Sequence, residues 1–208
     1  YQDNELVIFF SMEGITLKCL VIYSHPNSKS FNHAVKDEVL NQLKIRGDEV
    51  VVRDLYEIGF NPVLSLKDFE TLGKGETPTD IKKEQEFLLW AEAIIVIHPT
   101  WWNSFPAMLK GYFDKILLPG FAYKYGDNGV IKLLSGRKGI IFRTSGSDLN
   151  LKLRDGRKVA YETTSDYGTI GFCGIELVSI ETFWSAPFVE ESVRKGYLEK
   201  IKESIAKL

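Results

Sequence analysis

The sequence predicts an α/β fold in three layers: a five-stranded parallel sheet of order 2-1-3-4-5 with helices on both faces. Five apolar runs of strand length recur along the 208 residues, and helical patterns alternate with them. One run, Ala93 to His98, is almost continuously apolar, as a strand covered on both faces should be. The first run is followed by neither a G-x-G-x-x-G fingerprint nor a Walker glycine–lysine pattern, which speaks against a dinucleotide fold and a P-loop enzyme. Five strand–helix units fit the 2-1-3-4-5 order.

The first strand spans Leu17 to Tyr23. Phe31, Val35, Val39 and Leu43 then recur every fourth residue as one helix stripe, and Arg46–Gly47 make a plausible stop. The second strand is Glu49 to Leu55. The polar stretch after it, to about Gly75, is long for such a connection and is expected to form a flap. A helix from Thr79 to Glu92 should carry Ile81, Leu88 and Leu89 inward. After the third strand, Pro106 starts a helix at no hydrogen-bonding cost, with Met108, Leu109, Tyr112, Phe113 and Ile116 as its inner face. The fourth and fifth strands are Lys138 to Thr144 and Ile175 to Thr182. Val189, Val193, Tyr197, Ile201 and Ile205 mark the last helix.

A net charge of -2, with acids and bases mixed, gives no reason to expect nucleic acid or a membrane surface as partner. Cys19 and Cys173 sit in apolar contexts and read as buried thiols of a reducing, cytoplasmic setting. No Cys/His cluster has zinc spacing, so no metal is expected. The apolar run Leu6 to Phe10 is too short for a bilayer, and neither basic residues before it nor a cleavage site after it suggest a signal peptide. Residues 1–16 are therefore set apart from a domain over 17–208, as an extension with Met12 a candidate start, or as an added edge strand or a segment pairing with a partner chain.

In a sheet of this order the ligand site lies at the carboxyl ends of the strands, where the order reverses. The loops after Tyr23, His98 and Thr144 meet there. The first, "SHPNSKSFN", ends at a helix start, where free N–H groups and a partial positive charge favour phosphate. His25, Ser28, Ser30 and Asn32 can add side-chain donors; equally, Ser30 can be a plain N-cap. The second, "HPTWWNSFP", sets two tryptophans just past a buried strand, a suitable wall for a flat aromatic ligand addressed by the backbone of Thr100 to Asn103. In the third, "TSGSD", Gly146 lets backbone approach a ligand. Together the loops form a groove that suits a flavin mononucleotide.

Three stretches carry a resemblance over about Cys19 to Leu208. They are the run from "SKSFNHAVKDEVL" to "NPVLS", the run "HPTWWNSFPAMLKGYFDKILLPGFAYKY", and "GFCG" at Gly171 to Gly174. In these the chain resembles the flavodoxin-like NAD(P)H:quinone oxidoreductases, the group of DT-diaphorase, the modulator of drug activity and the potassium-efflux ancillary reductases. The resemblance implies a flavin held at its phosphate by His25, Ser30, Phe31 and Asn32. It implies Pro99, Thr100, Trp101, Trp102 and Asn103 along the ring, and Thr144, Ser145 and Gly146 on the pyrimidine side. It further implies a homodimer in which Tyr123 and Tyr125 line the substrate pocket across the interface, with Trp102. The family's tyrosine and histidine after the fourth strand have no counterpart here, which leaves Tyr161, by vicinity, and Tyr125 as catalytic candidates.

The activity implied is NAD(P)H:quinone-type oxidoreduction, with hydride transfer through flavin N5, ping-pong kinetics and a quinone or similar flat acceptor. FMN is the expected cofactor, on the shorter 56–78 segment and the lack of the eukaryotic C-terminal extension, with FAD as the alternative. The rival readings are a flavin-binding regulatory subunit of a potassium-efflux system and a flavodoxin-like electron carrier.

Overall fold

The computed structural model describes residues 7–8 and 16–208. In chain order they form β1 (Val7–Ile8), β2 (Lys18–Tyr23), α1 (Phe31–Arg46), β3 (Glu49–Asp54), α2 (Leu66–Gly73), α3 (Thr79–Trp90) and β4 (Ala93–Pro99). Then come α4 (Ala107–Ile116), β5 (Tyr123–Gly126), β6 (Gly129–Lys132), β7 (Lys138–Thr144), α5 (Leu149–Arg154) and α6 (Arg157–Tyr161). A wide π-type helical segment (Glu162–Ile170) and a 3-10 turn (Gly171–Cys173) lead to β8 (Glu176–Phe183) and α7 (Glu191–Ile205).

The sheet order is β1-β3-β2-β4-β7-β8. Its five strands from β3 to β8 are parallel and stand in the expected 2-1-3-4-5 order. β1 adds a short antiparallel edge, with Val7 beside Val51 and Ile8 beside Val50. The candidate start at Met12 and the rest of the Leu6–Phe10 run lie outside the described residues.

Strand alternation divides the core. Leu20 and Ile22 of β2 face Ile81, Leu88, Leu109, Tyr112 and Ile116 of α3 and α4. Cys19, Val21 and Tyr23 face Val35, Val39 and Leu43 of α1 with Ile201 and Ile205 of α7. Both cysteines are free and buried, and burial pushes their thiols up to about 12 for Cys19 and about 11 for Cys173. Leu89, expected inside, faces solvent: Glu84 and Gln85 are buried on the inner face instead, because Arg53 and the Ile116 carbonyl satisfy them.

The 56–78 connection is not an open flap. Phe60 enters the core against Tyr112. Pro62 lies so close to α4 that a Cβ at Gly111 would sit 2.2 Å from its carbonyl oxygen, which explains the Lys-Gly of that helix. α2 then starts on a reciprocal capping box, Ser65 N–H donating to the Asp68 carboxylate and Asp68 N–H to Ser65 Oγ. β5 and β6 form an exposed antiparallel hairpin that periodicity alone did not predict.

Candidate functional site

β2, β4 and β7 end at one level, and their loops are tied together there. Ser24 N–H donates to Ile97 O, and Thr100 N–H donates to Thr144 O at 2.7 Å. The loop after β8 joins them, since Ser145 N–H donates to Phe183 O and Ala186 N–H returns to Ser145 O. These loops enclose a cleft of about 450 Å³, within the range of small-molecule sites.

The sequence-predicted residues His25, Ser30, Phe31, Asn32, Pro99, Thr100, Trp101, Thr144, Ser145 and Gly146 all line this cleft. Ala186 and Pro187 also line it. No sequence signal marked those two, because a Ser-Ala-Pro turn after the last strand looks like any connection.

The start of α1 borders the cleft. Ser30 is its N-cap, accepting from His33 N–H at 3.2 Å. His25 Nδ1 lies 3.0 Å from Asn27 N and 3.2 Å from Asn27 O, so the Asn27 backbone holds the ring through that nitrogen. Burial lowers the His25 pKa, which favours the neutral ring. Asn32 is buried, and its Nδ2 donates to Thr144 Oγ1 at 2.7 Å. Its Oδ1, like the hydroxyl of Thr100, is buried without a hydrogen-bond partner among the described residues.

Trp101 stands 6.0 Å from the His25 ring, partly exposed. Trp101 and Ser104 exchange backbone hydrogen bonds around Trp102 and Asn103, both at positive φ (51° and 59°). That is a type I′ turn, and it sends the Trp102 side chain outward, 98% exposed and outside the cleft lining. Asn103 is outside the lining too; its Oδ1 accepts from the ammonium of Lys152 on α5. Lys152 is a third residue the sequence did not single out.

Tyr123 and Tyr125 lie on the β5–β6 hairpin, edge-on to each other, and do not line the cleft of their own chain. Tyr161 is almost fully buried, with the Arg143 guanidinium 4.9 Å from its ring centre. Its hydroxyl lies toward Thr182 without a well-aligned hydrogen bond, and burial raises its pKa. It is not among the residues that line the cleft. Arg143 there makes a buried two-bond pair with Asp166, at 2.9 and 2.5 Å. His98, beside it, donates through Nδ1 to the Pro99 carbonyl, and burial with the nearby Arg143 charge pushes its pKa down to about 3.

Residues 17–207 match a family model described as a flavodoxin-like fold. The chain belongs to that family. It is 36% identical over 181 residues to a Haemophilus influenzae protein named as an uncharacterized NAD(P)H oxidoreductase, covering 86% of this chain and 90% of that one. It is 29% identical over 208 residues to the rat NAD(P)H dehydrogenase [quinone] 1, covering 90% of this chain and 76% of the other. Among solved structures, an FMN-dependent NADH-azoreductase of Bacillus anthracis in complex with FMN superposes with TM-score 0.76 at 20% identity, covering 92% and 99% of the two chains; that likeness shows the fold. The chain is an oxidoreductase of this flavodoxin-like family. No helix among its described residues is long and apolar enough to cross a membrane.

Proposed function

We propose that the cleft binds FMN and that the enzyme uses NAD(P)H to reduce quinones or similarly flat acceptors by two electrons. The observation that carries this reading is one cleft with two unlike sets of lining groups: donors at a helix start, and flat apolar walls from the loops. The His25 ring and the first N–H groups of α1 suit a phosphate. Pro99, Trp101, Ala186 and Pro187 suit the faces and edges of a planar ring. The unpartnered Asn32 Oδ1 and Thr100 hydroxyl are polar groups that a ribityl chain or ring edge would satisfy. At Gly146 a Cβ would meet only the Phe188 ring, at 3.9 Å, so packing within the chain does not call for glycine there.

When bound, the flavin would supply the relay that takes a hydride from NAD(P)H and passes it to the acceptor. The chain's residues orient and shield. Ser30 caps α1 so that its N-terminus faces the phosphate, Thr144 holds the Asn32 amide, and Trp101 keeps water from one side of the ring. One slot for both donor and acceptor gives ping-pong kinetics. Trp102, Tyr123 and Tyr125 would close that slot from a second copy in a homodimer. The two buried thiols suit a reducing, cytoplasmic setting.

The test is an absorption spectrum of the purified protein, with mass spectrometry of any heat-released ligand. Equimolar FMN, together with parallel initial-rate lines for NAD(P)H and a quinone, is the expected result. Release of FAD would overturn the cofactor assignment. A colourless protein that takes up no added flavin would overturn the reading as a whole.

A further inference from the structure

Lys152 is 3% exposed, and no carboxylate among the described residues lies within ion-pair distance of it. Among the described residues its ammonium has one hydrogen-bond partner, the neutral Asn103 Oδ1. The acid acting on it is Asp155, which is itself hydrogen-bonded by Arg157, and the Arg157 charge opposes the ammonium more than Asp155 favours it. Each of the other buried cations, Arg53, Lys115 and Arg143, has a carboxylate within 2.7 Å. Burying an ammonium without a counter-charge is costly, and a structural role would be served better by an apolar side chain. Position gives the cost a purpose. Lys152 rises from the helix that follows Gly146 and grips the turn that follows Trp101, so it joins the two loops that wall the proposed ring site.

We infer that Lys152 is a positioning cation of the flavin site: it locks the Trp101–Ser104 turn through Asn103 and sets a positive charge beside the ring to favour its reduced form. The inference rests on the proposed flavin reading. A hydride brings two electrons and one proton, so its arrival leaves one negative charge on the ring system. A cation fixed behind the cleft lining stabilises that charge more than it stabilises the neutral oxidised ring. Burial lowers the Lys152 pKa, the expected signature of an ammonium short of counter-charge.

The test compares Lys152→Gln with Lys152→Arg by redox titration of bound FMN. Both side chains can donate to Asn103, and only arginine keeps the charge. The expected result is an oxidised-FMN Kd within a few-fold of the unmodified protein for both. The preference for reduced over oxidised FMN should fall about tenfold in the glutamine variant, a shift of about 30 mV to more negative potential. Arginine should restore the potential. Lys152→Met in the flavin-free protein should melt no lower than the parent, because it removes an uncompensated buried charge. Equal potentials for glutamine and arginine, or a lower melting point for methionine, would overturn the inference while leaving the flavin reading intact. Failure of the unmodified protein to bind FMN would overturn both.

Discussion

Trp102 and Asn103 occupy the two central positions of their turn at positive φ. Asparagine tolerates that conformation; for tryptophan it costs roughly 1–2 kcal/mol. Strain of this kind persists where its surroundings over-determine it, here the paired Trp101–Ser104 backbone bonds and the grip of Lys152 on Asn103. Since Trp102 makes almost no packing in its own chain, Trp102→Gly should raise stability by about 1 kcal/mol and lower quinone turnover, read by thermal melting and steady-state rates. Trp101→Ala should act on binding instead, weakening FMN roughly three- to tenfold by fluorescence titration, the worth of one aromatic contact. The loop residues that line the cleft were legible because their positions follow from strand ends. The outward turn of Trp102 was not, since two adjacent tryptophans look alike until backbone φ separates them. Nor was Lys152 legible, because a lysine in a polar stretch reads as a solvated one until a distant asparagine is brought to it.

At the scale of elements, the ends of β4 and β7 place His98 and Arg143 side by side beneath the cleft. Above pH 6.5 both folded and unfolded chains hold His98 neutral. On acidification the unfolded chain takes up a proton that the folded one refuses until about pH 3. Stability should therefore fall between those values, by up to about 1.4 kcal/mol per pH unit from this residue. Denaturant melts of His98→Asn against the parent should show a shallower acid slope in the variant. Asp166, within the π-type segment, holds Arg143. Asp166→Ala strands a buried guanidinium and should cost about 3–5 kcal/mol, whereas replacing both partners with apolar residues should cost much less. The five parallel strands and their helices were legible through apolar periodicity. The π-type segment, the β5–β6 hairpin and α2 were not, for want of a long periodic face: α2 buries no residue, and most of the hairpin is exposed.

Across the whole molecule, apolar side chains remain on the outside near the proposed substrate slot. Trp102, Tyr125, Tyr167 and Phe188 are all more than half exposed. If they meet a second copy, as proposed, sedimentation should report a dimer. Tyr125→Asp should weaken that dimer and turnover together, leaving the melting of the separated chain nearly unchanged; a monomer with full activity would remove the two-copy slot. The first loop has one more consequence. A glycine cradle is written in backbone, and single replacements tend to break it. Here the proposed anchors at the mouth of α1 are the His25 side chain and the N–H groups of a conventionally capped helix. The histidine can be exchanged by one codon while the helix start remains, so a lineage built on this scaffold can drift in which phosphate-bearing cofactor it prefers while its sheet stays the same.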